Sequence, residues 1–193
     1  SASHTTDLLQ IESPASGGGH GIQIRRNDSN NDQTVGHILF GNNTATDLAS
    51  ISAKTNGATD SGAILFNTSA TGGANTERMR IDSSGNVGIG GTPESGTSSD
   101  VSELDMGLMS LSIWKGESQP NDSASYGYNC YKTGGSTYKA KKSSQGGDWR
   151  PAVYEQIYGK HIFRVASSGT ADSAISWTTA MTIANDGVVN PGV

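Results

Sequence analysis

Glu77-Arg-Met-Arg-Ile-Asp-Ser-Ser-Gly-Asn-Val-Gly-Ile-Gly-Gly-Thr-Pro93 decides the fold class. In an extended chain successive side chains point to opposite faces, so Met79 and Ile81 share one face while Arg78, Arg80 and Asp82 share the other. Asp82-Ser-Ser-Gly-Asn86 is a tight turn in which Gly85 supplies positive φ. Val87 and Ile89 then resume the apolar face, alternating with Gly88 and Gly90. The segment is a small hairpin with one oily stripe, marginal on its own in water and in need of a partner surface.

The same signature returns near the other end of the chain. Met79, Ile81, Gly85 and Val87 reappear as Met181, Ile183, Gly187 and Val189, each displaced by 102 residues. Thr76 matches Thr178, and Leu9-x-Ile11 matches Leu111-x-Ile113, at the same offset. The chain therefore reads as two modules, 1–105 and 106–193, each opening with a short strand and closing with a hairpin. The Gly/Ser/Thr-rich stretch 90–100 joins them.

Between these landmarks the strand signals are short and frequent. Ile22 and Ile24, Val35 with Ile38-Leu39-Phe40, Leu48 with Ile51, and Ile64-Leu65-Phe66 are separated by turn-forming clusters such as Asn27–Asp32, Asn42-Asn43 and Asn56-Gly57. Many short strands at roughly ten-residue spacing indicate an all-β fold with little or no helix. The one stretch with a helical alternative is Val101–Met109, where Val101, Leu104 and Leu108 could share a face; Gly107 limits it to about one turn.

Composition sets a second constraint. Gly, Ser, Thr and Asn make up 84 of 193 residues, and Leu, Ile, Val and Phe only 32. The aliphatic share lies below the roughly 20% that an ordinary core requires. Ordering the backbone costs roughly 1–2 kcal/mol per residue. Burying more apolar surface between identical copies, at roughly 25 cal/mol per Å², would offset that cost. Small residues at strand positions also let backbones approach closely around a narrow axis. No apolar run reaches the roughly 18 residues of a spanning helix, which argues against membrane insertion. Cys130 has no partner within the chain, so no disulfide framework forms. A net charge of -5 argues against nucleic acid as a partner.

The segment 77–90 resembles the repeated ERMRIDSSGNVGIG element of bacteriophage tail fibres and related virion appendages, with the flanking Gly62-Ala-Ile-Leu-Phe-Asn-Thr68 extending the likeness over about 35–93. Residues 178–191 resemble a degenerate second copy, with Ala180 in place of Arg78 and Val189-Asn190-Pro191 in place of Val87-Gly88-Ile89. The resemblance implies an intertwined homotrimeric β-fibre, exposed on the virion and extracellular when mature, in contact with other virion proteins and reaching toward the host surface. It implies a trimer core of Met79, Ile81, Val87, Ile89, Met181, Ile183 and Val189. Such fibres often carry a self-cleaving C-terminal chaperone domain, and none is visible before Val193.

Chemistry-bearing residues are sparse. His4, His20, His37 and His161 lack the spacing of a metal site or a catalytic triad. Asp28-Ser-Asn-Asn-Asp32 opens like a calcium loop, but Gln33 and Leu39 stand where such a loop needs Gly and a bidentate Glu. Asp148 and Glu155, flanking Trp149, are the least implausible carboxylate pair for glycoside hydrolysis. The expectation is therefore no catalytic residue, no cofactor and no metal. All Trp and Tyr residues fall after residue 113. Tyr126, Tyr128, Tyr131, Tyr138, Trp149, Tyr154 and Tyr158, interspersed with lysines, are the candidate receptor-contact residues, suited to stacking on host cell-surface polysaccharide. Their bland alternative is the core of a small globular module. Against the fibre stand a depolymerising tailspike, a cellular surface adhesin or filament, and a monomeric sandwich.

Overall fold

The structure, a computed structural model, describes residues 21–94, 100–115, 122–143 and 149–192. The expectations placed on Leu9 and Ile11, on His4 and His20, and on Asp148 lie outside the described residues. So do those on most of the loop at 143–147 and part of the 90–100 connection.

The fold is all-β, with no helix among the described residues. Its strands are β1 (Thr34–Phe40), β2 (Ala49–Thr55), β3 (Gly62–Ser69), β4 (Asn75–Ile81), β5 (Val87–Ile89), β6 (Val101–Met106), β7 (Met109–Trp114), β8 (Ser123–Tyr128), β9 (Cys130–Gly134), β10 (Thr137–Ala140), β11 (Ala152–Ile157), β12 (Lys160–Val165), β13 (Thr178–Ile183) and β14 (Val189–Pro191). Twelve of them form one sheet in chain order, β1 to β8 and then β11 to β14. The β9–β10 hairpin is excised from that order as a second, two-stranded sheet. Every pairing in the large sheet is antiparallel except β5 with β6, where Val87 faces Leu104.

Local chemistry explains the turns. In the 77–93 hairpin, Asp82 Oδ1 accepts from the backbone N–H of Ser84 and of Asn86, both at 2.9 Å, and Gly85 takes φ +83°. The second copy keeps the glycine and the backbone turn but not the aspartate: Gly187 has φ +86° and its N–H donates to the carbonyl of Ala184, which stands in place of Asp82, while Asp186 Oδ1 accepts from Val188 N at 3.0 Å. β4 pairs Met79 with Ile89 and Ile81 with Val87, while β13 pairs Met181 with Pro191 and Ile183 with Val189. Arg78 occupies a bulge opposite β3, and its Nε donates to Thr68 Oγ1 at 3.1 Å. Asn86 is 1% exposed, and its Oδ1 accepts from Glu103 N at 3.1 Å, tying the hairpin turn to β6.

Val101–Met109 contains no helical turn. It forms β6, a Gly107 turn at φ +67°, and the start of β7. The helical reading fails because β6 inverts the usual pattern: Val101, Glu103 and Asp105 are buried while Ser102 is exposed and Leu104 only half-buried. Polar residues go inward here because the small sheet covers them. Residue 105 thus lies within a strand of the continuous large sheet.

The core lies between the β9–β10 hairpin and the reverse side of β6, β7, β8 and β11. Cys130, Tyr138 and Val153 form its centre, with Ile175 and Trp177 packed against it. Tyr138 and Trp177 meet edge to face at 5.7 Å. Small residues allow this approach. A Cβ on Gly127 would sit 2.6 Å from Cys130 Sγ and 2.9 Å from Ser110 Oγ. Ser110 Oγ donates to Cys130 O at 2.7 Å.

Candidate functional site

Side chains of paired residues lie on the same face of a sheet, so the register traces each face directly. One row runs Ile64, Ile81, Val87, Leu104, Leu111, Tyr126, Tyr154, Phe163 and Met181, from β3 to β13 without a break. On the same face Ile38, Ile51, Phe66, Met79 and Ile89 continue the apolar surface to β1. Another parallel row carries Met106, Met109, Tyr128, Ala152 and Val165. All seven expected trimer-core residues therefore point to one face of one sheet, with Ile183 and Val189 at its β13–β14 end. Within a single chain this face is open: Ile38 is 54% exposed, Ile64 47%, Leu111 43% and Val189 57%. At the β1 margin Ile24 lies against Gly36, beside a concavity of about 190 Å³ lined by Ile38, Ile51 and Ile64.

The reverse face is polar. Glu103, Ser112, Ser125 and Glu155 form a row across it, all buried beneath the small sheet. Lys132 and Glu155 are 0% exposed and 2.7 Å apart. The phenol of Tyr138 accepts from Lys132 Nζ at 2.9 Å and donates to Glu155 Oε1 at 3.0 Å, while Arg164 reaches Glu155 Oε2 at 3.3 Å. Burial pushes the Lys132 ammonium down, opposed by Glu155, and pushes the Tyr138 phenol up, reinforced by Glu155. A second cluster pairs Lys141 with Asp105 at 2.5 Å. Beside it the Glu103 carboxyl is pushed up to about 8 by burial, against the pull of Lys141. Neither Glu103 oxygen has a hydrogen-bond partner among the described residues. Burial also raises the Cys130 thiol to about 12, leaving it an inert, packed sulfur.

The seven candidate receptor-contact residues do not converge. Tyr126, Tyr128 and Tyr154 lie on the open face. Tyr131 and Tyr138, each 1% exposed, are core rings of the small sheet. Tyr131 donates to Asp172 Oδ1 at 3.1 Å; burial, then Asp172, raise its phenol. Trp149 lies in a loop near Lys142, and its carbonyl accepts from Asn129 Nδ2. Tyr158 occupies the β11–β12 turn, 52% exposed. The sequence missed the ionic pair of Lys132 and Glu155, whose only signal was a charged residue at a core-facing position of each strand.

Glu155, already held by Lys132, Tyr138 and Arg164, presents no carboxylate to a substrate. In the calcium-like loop, Asp28 is paired with Arg26 at 2.7 Å and Asp32 Oδ1 accepts from Gly57 N at 3.0 Å. These carboxylates brace a turn.

No family model matches the chain, and no curated protein matches it. Among solved structures, the carboxy-terminal domain of the bacteriophage T5 L-shaped tail fibre is similar over 95% of this chain and 89% of that one, with a TM-score of 0.46 and 14% identity. A likeness at that level fixes neither ancestry nor function.

Proposed function

We propose that this chain is a structural, non-catalytic segment of a bacteriophage tail fibre or similar virion appendage, built as a homotrimer. The carrying observation is the apolar band on the open face. Twelve strands at about 4.8 Å spacing make it roughly 50 Å long. With neighbouring rows it exceeds the few hundred Å² that a soluble monomer ordinarily leaves exposed. Three copies, the number implied by the likeness of 77–93 to the phage repeat, turn these faces inward around a shared axis. The polar reverse faces, each braced by its β9–β10 hairpin, then form the outside. The work of the protein is mechanical: to extend from the particle, resist unfolding and carry contact with the host surface.

Two measurements test this reading. Ile81→Asp places three carboxylates in the shared interior and is expected to abolish the trimer in sedimentation velocity. Thr179→Asp, on the reverse face opposite Arg164, is expected to leave it intact. A trimeric Ile81→Asp variant would show that the wrong face was chosen. Antibodies against the chain are expected to decorate an appendage of the phage particle in electron micrographs, and unlabelled particles would remove the virion assignment.

A further inference from the structure

β6 and the end of the small sheet bring a lysine, an aspartate and a glutamate together away from water. Lys141 follows β10 directly, and its backbone N–H donates to Asn129 O at 3.2 Å, which fixes where its side chain starts. Its Nζ lies 2.5 Å from Asp105 Oδ2, near the end of β6. Glu103 stands two residues earlier in the same strand, so its side chain points to the same face. All three side chains are buried. Asp105 Oδ2 also accepts from Glu94 N–H, and Lys141 Nζ donates to Met109 O, both at 3.4 Å.

The Glu103 side chain braces nothing. Neither of its oxygens has a hydrogen-bond partner among the described residues, and nearby Ser110 gives its hydrogen to Cys130 O. A buried carboxyl left in that state costs stability. Burial keeps it protonated at neutral pH; Lys141 pulls the other way, and Asp105 and Glu94 add to the effect of burial. It is a proton donor held beside an amine and a carboxyl that already touch. The Lys132–Glu155 pair has a different third member, the Arg164 guanidinium, which carries no proton to give up.

We infer that Lys141 and Asp105 condense into an isopeptide bond between the two sheets, with Glu103 carrying the protons. One ammonium proton passes to the Asp105 carboxylate, leaving a neutral amine against a neutral acid. The Nζ lone pair attacks Cγ, and the Glu94 N–H stabilises the oxygen that remains. Glu103 gives its proton to the oxygen that leaves and takes one from Nζ, so it ends as it began. The Nζ–Cγ bond forms, a Cγ–O bond breaks and one water departs; nothing is oxidised or reduced. Two buried charges become one neutral amide, and the released water goes to bulk, which drives the condensation forward. The bond closes the chain from 105 to 141 into a covalent loop and locks the small sheet onto the large one. A chain with one cysteine has no internal disulfide for that purpose. The bond lies within one chain, so it stands or falls apart from the trimer.

Intact-mass spectrometry of the folded wild-type chain, after denaturation, tests this. The expected mass is one water below that of the sequence. Trypsin is expected to release peptide 81–115 joined to 140–142 through Asp105 and Lys141, uncut after Lys141. That linked product separates the bond from simple dehydration at Asp186-Gly187, which lies outside both peptides. Lys141→Arg and Glu103→Gln, each shown folded by circular dichroism, are expected to keep their full masses. Lys132→Met is expected to lose the water as wild type does. Because an amide does not titrate, its loss offsets the stability of Glu103→Gln equally at every pH. A full-mass wild type, or a missing water without the linked peptides, overturns the bond. A cross-linked Glu103→Gln overturns the role of Glu103.

Discussion

Replacing Glu155 by Leu removes the acceptor from an ion pair that has no contact with solvent. Lys132 and Glu155 are both 0% exposed at 2.7 Å, and Lys132 also lies 4.6 Å from the centre of the Tyr138 ring. Without Glu155 the ammonium keeps, among the described residues, the Tyr138 phenol and the ring face. Breaking a buried pair from one side costs roughly 3–5 kcal/mol, because the other charge is left uncompensated. Lys132→Met is milder, about 2 kcal/mol, because Glu155 retains Tyr138 at 3.0 Å and Arg164 at 3.3 Å. Additive effects would put the double variant about 6 kcal/mol below wild type; mutual dependence puts it no more than about 2 kcal/mol below, since an apolar pair of similar volume replaces a buried ion pair at little net loss. Urea denaturation, followed by tryptophan fluorescence at fixed protomer concentration, supplies the four values; Trp177 packs against Tyr138 and reports locally. A double variant near the additive value would refute the pair as the clamp between the two sheets.

The Glu103 carboxyl, raised from an ordinary 4.5 to about 8, is protonated in the folded chain over a range where the unfolded chain has released its proton. Stability from this group is therefore full below about pH 4.5 and falls as pH rises toward about 8; Glu103→Gln is expected to gain on wild type progressively through that window in urea midpoints, and a constant difference would contradict it. Gly85→Ala forces a Cβ into φ +83° and is expected to cost about 1–2 kcal/mol. Gly91→Ala, with open space around it and no positive φ, is expected to cost nothing; equal thermal shifts for the two would show that the turn does not select glycine.

The hairpins were legible because both their periods and their turn residues are local. Asp82 and Gly85 specify the first turn, and the match of Met79 with Met181 carries the reading to the second. The face shared by the trimer-core candidates was equally legible, since alternation fixes it within a strand. Which strands bring their faces together was not, because register between distant strands leaves no mark in one sequence. The buried side of β6 was not legible for a different reason. Val101, Leu104 and Leu108 left a helical stripe open as an alternative, and alternation within one strand does not say which of its faces is covered. In the structure the charged side chains go inward and Leu111 and Ile113 stay outside, which only the covering β9–β10 hairpin explains. The aromatic residues split for a similar reason. Asn129, at φ +50°, ends β8 and sends the chain into the small sheet, so Tyr128 and Tyr131 belong to different layers despite their proximity in sequence.

Light scattering of the purified chain across a dilution series weighs the particle directly. A mass three times 19.9 kDa that persists on dilution is what the proposed trimer predicts. A folded, cooperative species of 19.9 kDa would mean that this face rests in water, and the fibre account would be wrong.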